Sequence, residues 1–355
     1  MDESSYSMSK QNTINDKKEI TIFKKKKKVK FITTHKKFLF IMILFFIAII
    51  IINRIYLKLF KNNYTNNINF LYENYENNII TEKMKNYANW KTTLEQINFI
   101  NGIIRKKKLK NCLEIGVAYG GTSIVILNAI KDMKNSFLVS LDLNEQVYMD
   151  PKEKTGSRVN KYFPELTKNW KLYTGDQPHK FLVKLNLTFD FLFLDTAHIT
   201  PGEVLNFIEC LPFLKEKAVV VIHDIIWHFY DSSSIKFHPA PILLIPSLYG
   251  DKVILGYSKG EIKNIGAIFL YPHQERHYLD YFLLLLNFWE YMPNENQIND
   301  LRIFIKKYFK KDIYLKIFNM AVSKNENYIK RFQNLNNNSN NYKNIILNLG
   351  SKKTN

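Results

Sequence analysis

Two short apolar runs that end in polar residues dominate the hydrophobic pattern. Phe191 to Leu194 and Ala218 to Ile222 are rich in aromatic or β-branched residues and are too short for helices. Apolar residues with helical spacing lie between them, at Val204, Phe207, Ile208 and Leu211. The pattern therefore predicts a strand–helix–strand unit with two buried parallel strands.

Polar groups able to bind a metal or move a proton follow both predicted strands. Asp195 and His198 follow the first strand, and His223 and Asp224 follow the second. In open α/β sheets, ligands bind at the carboxyl ends of the strands. One such residue alone is more often a turn former or a structural hydrogen-bonding group. The doubled pattern on neighbouring strands favours a functional site.

A glycine-containing turn follows an earlier predicted strand, Asn111 to Gly116, and leads into an apolar helix. Glycines there let the backbone approach a ligand and expose amide groups at a helix start. The turn lacks the lysine of a phosphate-binding loop and does not match G-x-G-x-x-G. The strand Phe137 to Leu141 ends in Asp142, which can accept hydrogen bonds from a ribose or cap a turn. Asp176 ends a third predicted strand, where it can either contact a nucleobase or cap the next helix.

The ordered set resembles the class I S-adenosylmethionine-dependent methyltransferases. The matching motifs are Glu114-Ile115-Gly116, Gly120-Gly121-Thr122-Ser123, Asp142, Gly175-Asp176, Asp195-x-x-His198 and His223-Asp224. The resemblance is closest to the metal-dependent macrocin- and mycinamicin-type sugar O-methyltransferases and to the cephalosporin-hydroxylase-like group. It covers roughly residues 90 to 275. It implies an α/β fold with a Rossmann-like, doubly wound, mostly parallel seven-stranded sheet.

The resemblance also implies roles for individual residues. The implied S-adenosylmethionine-binding residues are Glu114, Gly116, Gly120, Ser123, Asp142 and Asp176. A divalent metal, magnesium as first choice, is expected on Asp195 and Asp224, and His198 is the expected general base. His223 is a further candidate ligand at a position where the family often has an acid. This departure leaves its role open and favours a softer ion. The family's usual Pro-Gly-Gly turn is also absent, since Leu214 to Ala218 replaces it.

Charge and hydropathy predict a membrane anchor before this domain. The net charge is +19, and Lys24 to Lys28 precede the apolar run Phe38 to Ile52. The lysines predict a cytoplasmic N-terminus and a catalytic domain on the lumenal or extracytoplasmic side. This topology conflicts with a donor made in the cytoplasm. Three explanations stay open: a compartment imports the donor, the topology is inverted, or the domain no longer methylates. Cys112 and Cys210 are expected to be buried thiols.

The predicted organisation has six parts. They are a disordered basic tail (1–35), a transmembrane helix (36–60), a spacer (61–89), the methyltransferase-like domain (90–275), a C-terminal helical extension (276–333) and an Asn-rich disordered tail (334–355). Residues 144 to 170 are either a lid over the substrate or a peripheral insertion. The aromatic cluster Trp227 to Asp231 either walls an acceptor pocket or packs internally.

These features predict a membrane-anchored, divalent-metal-assisted O-methyltransferase that acts on a hydroxyl of a sugar or glycoconjugate. One alternative keeps the fold but uses the metal as in the hydroxylase-like group. A second alternative is a catalytically inactive methyltransferase-like module that serves as a tethered binding protein. The expected partners are membrane lipid, through one helix, and a glycan or glycosylated small-molecule acceptor. No specific nucleic acid is expected, and homo-oligomerisation stays open.

Overall fold

The computed structural model describes residues 82–88, 93–225, 240–255 and 264–337. The predicted tail 1–35, the membrane helix 36–60 and the aromatic cluster Trp227 to Asp231 lie outside these ranges. None of the helices within them combines the length and hydropathy needed to cross a bilayer. All described residues belong to the unit that spans Asn67–Asn355.

A seven-stranded mixed sheet forms the centre of this unit, with the strand order β5-β2-β1-β6-β7-β9-β8. β3 and β4 form a separate antiparallel pair. The strands are β1 (Asn111–Ile115), β2 (Phe137–Asp142), β3 (Gln146–Val147), β4 (Asp150–Lys154), β5 (Trp170–Thr174), β6 (Phe189–Leu194), β7 (Leu214–His223), β8 (Gly250–Ile254) and β9 (Ile265–Leu270).

Helices cover both faces of the sheet and extend beyond it at the C-terminus. They are α1 (Glu82–Ala88), α2 (Leu94–Lys107), α3 (Gly121–Ile130), α4 (Ser157–Tyr162), α5 (Pro178–Leu185), α6 (Gly202–Cys210), α7 (Ala240–Ser247), α8 (Tyr278–Leu283), α9 (Glu295–Tyr308) and α10 (Asp312–Asn337). α1 lies within the predicted spacer, and α10 continues past residue 333, where the predicted helical extension ends.

The apolar runs of the central strands are continuous because both faces of the sheet are buried. Along β6, Phe191 and Phe193 pack in one core with α2 and α3. Leu192 and Leu194 pack on the opposite face with α5, α6 and the C-terminal helices. Successive side chains of a strand point to opposite faces, so a strand between two helical layers must be apolar at every position. The predicted doubly wound α/β fold is confirmed.

The strand order reverses beside β1, which pairs in parallel with β2 on one side and with β6 on the other. This reversal is the topological switch point, where open α/β sheets leave a crevice at the carboxyl ends of the strands. β9 is antiparallel to both β7 and β8, so the reversed strand lies second from the edge.

The C-terminal helices are an integral part of one core layer. Trp289 and Phe318 are fully buried in the same core as β6 and β7. Asn325 in α10 accepts the backbone N–H of Trp289 at 2.9 Å. The apolar stretch near Trp289 therefore packs inside the protein.

Gly116 at the end of β1 permits the closest backbone approach near the switch point. Its φ is +89°, and a Cβ atom there would lie 1.9 Å from the backbone oxygen of Asp195. Gly175 has a similar φ of +91°, but its Cβ would first meet the side chain of Glu145 at 3.2 Å. Substitution of Gly175 therefore tests mainly the cost of the left-handed backbone conformation, whereas substitution of Gly116 adds a clash with the backbone of Asp195.

We expect Gly175→Ala to lower the free energy of unfolding by about 1–2 kcal/mol, the cost of a left-handed backbone conformation. Gly116→Ala adds the overlap with Asp195, for a total loss of about 2–5 kcal/mol or failure to fold. Urea unfolding of both variants measures the difference. Equal losses would show that Gly116 is needed only for its dihedral angles.

Candidate active site

Asp195, His198 and Asp224 meet at the carboxyl ends of β6 and β7. His198 Nε2 lies 3.0 Å from Asp224 Oδ2 and 3.6 Å from Asp195 Oδ1. His198 and Asp224 are buried, whereas the Asp195 side chain is 30% exposed. Together with His223, which contacts both aspartates, these residues bring all four groups predicted from the two strand ends to one place on the crevice side of the sheet.

His198 is oriented by a buried acid that sequence reasoning did not assign to the site. Its Nδ1 lies 3.1 Å from Oε1 of Glu203, which is fully buried in the first turn of α6. Burial lowers the pKa of His198, but Glu203, Asp224 and Asp195 outweigh it and raise the pKa well above its ordinary value. With one ring proton directed at Glu203, the contact between Nε2 and Asp224 requires a proton or a cation between the two atoms.

His223 lies behind the two aspartates and is in contact with Gln96 of α2. Its Nδ1 is 3.5 Å from Asp195 Oδ2 and 3.3 Å from Asp224 Oδ1, and its Nε2 is 3.2 Å from Gln96 Nε2. Burial lowers the pKa of His223, but the nearby charges of Asp195 and Asp224 raise it to about 10. A cation bound between the carboxylates would oppose this rise.

Asp224 is the most strongly stabilised carboxylate of the cluster. Burial raises its pKa, but hydrogen bonds from His198 and His223 and their charges hold the pKa well below its usual range. The side-chain amide of Asn264 donates a further hydrogen bond to Oδ1 at 2.5 Å. Asp224 therefore carries a negative charge at neutral pH.

The cluster has the chemistry of a divalent-cation site. Asp195, His198 and Asp224 each offer one ligand atom, and the three atoms lie within 4.8 Å of one another. Two carboxylate oxygens and one imidazole nitrogen suit ions such as manganese or zinc as well as magnesium. His223, a candidate ligand from sequence, is outside this set among the described residues.

The predicted cofactor residues near β1 divide into a buried network and a turn. Glu114 is fully buried, and its Oε2 accepts hydrogen bonds from Ser123 and Ser140 at 2.6 Å each. Ser140 also accepts the indole N–H of Trp170 at 2.8 Å. Burial raises the pKa of Glu114 to about 8, although the two serine hydrogen bonds oppose the rise. Glu114 and Ser123 thus hold the base of the glycine turn together.

Asp142 binds the glycine turn directly. Its Oδ2 accepts the backbone N–H groups of Val117 at 2.8 Å and Ala118 at 3.2 Å, and its Oδ1 accepts that of Asn144 at 2.9 Å. A carboxylate has about four acceptor positions, so capacity for a further donor such as a ribose hydroxyl remains. Asp142 therefore shapes the turn and still fits the predicted cofactor contact.

Gly120 and Asp176 have clear structural contacts in the fold. A Cβ atom at Gly120 would lie 2.7 Å from a methyl group of Val159 and 3.2 Å from Gly156. Asp176 forms an ion pair with Lys180 at 3.1 Å, and Lys180 also pairs with Asp300 of α9 at 2.8 Å. The role of each residue in cofactor binding stays a prediction.

The predicted lid segment is a hairpin followed by short helices, and it is bonded to the glycine turn. Gly156 N–H donates to the carbonyl of Ala118 at 2.7 Å, and the Tyr119 hydroxyl donates to Asp150 at 3.3 Å. Tyr148, between β3 and β4, is 67% exposed. Partial burial and then the charges of Asp195 and Asp224 raise its pKa, so its hydroxyl lies within electrostatic range of the cluster.

Sequence reasoning missed Glu203, Gln96 and Asn264 as members of the site. Glu203 had a detectable signal, since an acid five residues after a candidate base can reach back to it from the first helical turn. Gln96 and Asn264 come from elements far away in sequence. Only the packing of α2 and of the residue before β9 against β7 reveals them.

The fold and the site together define a doubly wound α/β domain with a glycine turn and an acidic cluster at its switch point. Residues 113–225 match the model of a family described as a methyltransferase domain. This match confirms the methyltransferase domain that the sequence motifs predict. The matched range includes every residue that was predicted from sequence for the site.

The search of curated proteins found no match to the chain. Among solved structures, it is similar to the O-methyltransferase from Bacillus cereus in complex with SAH, with 16% identity, a TM-score of 0.41, and coverage of 56% of this chain and 95% of that one. It is also similar to the O-methyltransferase TomG from Streptomyces achromogenes in complex with SAM, with 16% identity, a TM-score of 0.39, and coverage of 55% and 91%. An SAH-bound methyltransferase from Podospora anserina has 17% identity, a TM-score of 0.38, and coverage of 53% and 88%.

We expect the buried Glu114 carboxyl group to make the protein less stable as the pH rises. Its pKa is about 8 in the folded protein and 4.5 as a free side chain, so the loss begins above pH 4.5 and is complete above pH 8. Its full size is about 5 kcal/mol, an order-of-magnitude figure. Glu114→Gln removes this dependence, and urea unfolding between pH 5 and about 9 measures it.

The matched control is Glu216→Gln, which changes a side chain that is 65% exposed. We expect this control to keep the pH dependence of the unmodified protein. A Glu114→Gln variant with the same pH profile as the control would contradict a buried, neutral Glu114.

Proposed function

We propose that this protein is a membrane-anchored, divalent-metal-assisted O-methyltransferase that acts on a hydroxyl group of a sugar or glycoconjugate. The observation that carries the proposal is the cluster of Asp195, His198 and Asp224 at the switch point, beside the glycine turn at Gly116. Methyl transfer to an alcohol needs a donor site, a means of stabilising alkoxide charge and a proton acceptor. The three requirements can be met by neighbouring residues of this crevice.

The side chains suggest a division of labour. Asp195 and Asp224 would hold the cation, and the glycine turn with Asp142 would hold S-adenosylmethionine. When bound, the cation would stabilise negative charge on the acceptor oxygen, and S-adenosylmethionine would supply the methyl group. With the bound cation offsetting the carboxylate charges that raise its pKa, His198 would accept the hydroxyl proton at Nε2, while its Nδ1–H donates to Glu203. The buried Glu203 carboxylate would stabilise the resulting imidazolium.

The acceptor side of the crevice would include the tip of the β3–β4 hairpin. Tyr148 and Met149 are 67% and 44% exposed, and the hairpin is bonded to the glycine turn through Asp150 and Tyr119. An exposed aromatic ring near a polar cluster suits an acceptor such as a sugar, which has both hydroxyl groups and apolar ring faces. The sugar assignment itself comes from the family resemblance.

The membrane assignment comes from the sequence of the first 60 residues. An apolar segment preceded by lysines would cross the bilayer once and leave the N-terminus in the cytoplasm. The catalytic domain would then lie on the opposite side. Protease protection of a C-terminal tag in sealed vesicles tests this orientation, and digestion of the tag from the cytoplasmic side would contradict it.

We expect the full-length protein to bind S-adenosylmethionine and Mn²⁺ in calorimetric titrations. Asp195→Asn and Asp224→Asn remove charged ligands, so each is expected to lower Mn²⁺ affinity by more than about tenfold. Both variants should still bind S-adenosylmethionine, because the glycine turn is unchanged. Asp132→Asn, at a position where the side chain is 66% exposed, is the matched control and should bind both ligands normally.

Incubation with methyl-labelled S-adenosylmethionine and a panel of sugars then tests the reaction. We expect release of S-adenosylhomocysteine and a labelled methyl ether, both of which depend on Asp195 and His198. Absence of S-adenosylmethionine binding would contradict the proposed enzyme, and unchanged Mn²⁺ affinity in both aspartate variants would contradict the metal site.

A further inference from the structure

Gln96 contacts the candidate site from outside the matched methyltransferase range. It lies in the first turn of α2, is only 3% exposed, and faces His223 across 3.2 Å. Glutamine side chains are mostly exposed in proteins, and a buried one is expected to satisfy both ends of its amide. The hydrogen-bonding partner at the other end of the Gln96 amide therefore determines whether its oxygen or its nitrogen faces the imidazole of His223.

The capping box of α2 fixes the orientation of this amide. The backbone N–H of Thr93 donates to Gln96 Oε1 at 2.7 Å, and the backbone N–H of Gln96 donates to Thr93 Oγ1 at 3.3 Å. A backbone N–H can only donate, so the side-chain atom that faces Thr93 must be the oxygen. The amide nitrogen, which can only donate, is then the atom that faces His223 Nε2.

A donor at this position requires an acceptor on the ring. His223 Nε2 must accept, so the ring proton is on Nδ1. This nitrogen faces Oδ2 of Asp195 at 3.5 Å and Oδ1 of Asp224 at 3.3 Å. A second proton, on Nε2, would break the hydrogen bond to Gln96, since the Thr93 contact prevents the amide from turning over without loss.

The second histidine has the opposite arrangement. His198 Nδ1 faces Glu203 Oε1, a carboxylate oxygen that only accepts, so the proton on this ring points away from the aspartates. Nε2 of His198 is therefore the nitrogen that can accept a proton or bind a cation beside Asp195 and Asp224. The two imidazoles thus face the same pair of carboxylates differently: His198 presents an unprotonated nitrogen, and His223 presents an N–H group.

We propose that Gln96 is a positioning residue that donates to Nε2 of His223 and so directs the Nδ1–H group of this ring toward Asp195 and Asp224. His223 is then not a metal ligand, and His198 alone supplies an imidazole lone pair. This inference rests on the proposed function for the presence of a metal. It explains how a histidine is accommodated where related proteins often have an acid. Instead of adding a negative charge to the cation site, His223 places an N–H group 3.5 Å from Asp195 and 3.3 Å from Asp224.

The first test measures the protonation of the ring nitrogens of His223 directly. We expect long-range ¹H–¹⁵N correlation spectra of the full-length protein, labelled at histidine and saturated with Mg²⁺ near neutral pH, to show a proton on Nδ1 and none on Nε2 of His223. His223→Asn assigns the signals by their loss. A proton on Nε2, or coordination of Mg²⁺ through Nδ1, would overturn the proposal.

Gln96→Glu is the discriminating variant. A carboxylate at residue 96 still accepts the N–H of Thr93, which preserves the helix cap, but it can only accept from His223. We expect Nε2 of His223 to gain a proton in this variant while the thermal midpoint stays near that of the unmodified protein. An unchanged His223 spectrum would overturn the assignment of Gln96.

Asn98→Asp is the matched control, because it adds a carboxylate to the same helix at a half-buried position. It should leave the His223 signals unchanged. A change as large as that in Gln96→Glu would show that an added negative charge anywhere on the helix is sufficient, and would overturn the specific role of Gln96. The spectra report on His223 whether or not the protein transfers methyl groups. Failure of methyl transfer with the expected spectra would therefore count against the proposed function and not against Gln96.

Discussion

Two carboxylates held close together at the ends of neighbouring strands are the constraint on which the rest of this site depends. At separations near 5 Å, two negative charges repel by about 3 kcal/mol in an environment of intermediate dielectric. The protein surrounds Asp195 and Asp224 with two imidazoles and an amide donor, so that a ring nitrogen faces each carboxylate oxygen. Such an arrangement favours a bound cation, because a cation reduces the repulsion directly.

The fold supplies the rigidity that this arrangement requires. Phe191 to Leu194 of β6 pair in parallel with Val219 to Ile222 of β7, and both segments are apolar on both faces, so their carboxyl ends have fixed positions. Because Gly116 has no side chain, the backbone after β1 can lie close to the backbone oxygen of Asp195, where a Cβ atom would clash. The turn that carries His198 is held from the other side, where Glu290 N–H donates to the carbonyl of Thr200 at 2.9 Å. The C-terminal segment therefore helps to support the candidate base.

The glycine turn is held in a similar way from several directions. Asp142 accepts two of its backbone N–H groups, the buried network of Glu114 lies beneath it, and the hairpin segment bonds to its outer side. A turn fixed by these contacts can present its backbone to a cofactor without reordering when it binds. The same hairpin carries Tyr148 between β3 and β4.

The sequence alone determined the sheet core, the glycine turn and the strand ends that carry Asp195, His198 and Asp224. These features are local, because continuous apolar runs and the polar residues that end them are readable within ten residues. Only the tertiary structure decided which partner each histidine has. Gln96 and Glu203 are separated from His223 and His198 by 127 and five residues, and neither pairing has a periodic signature. A side chain's hydrogen-bonding role depends on the atoms that surround it in three dimensions, and the packing of α2 and α6 brings those atoms into contact.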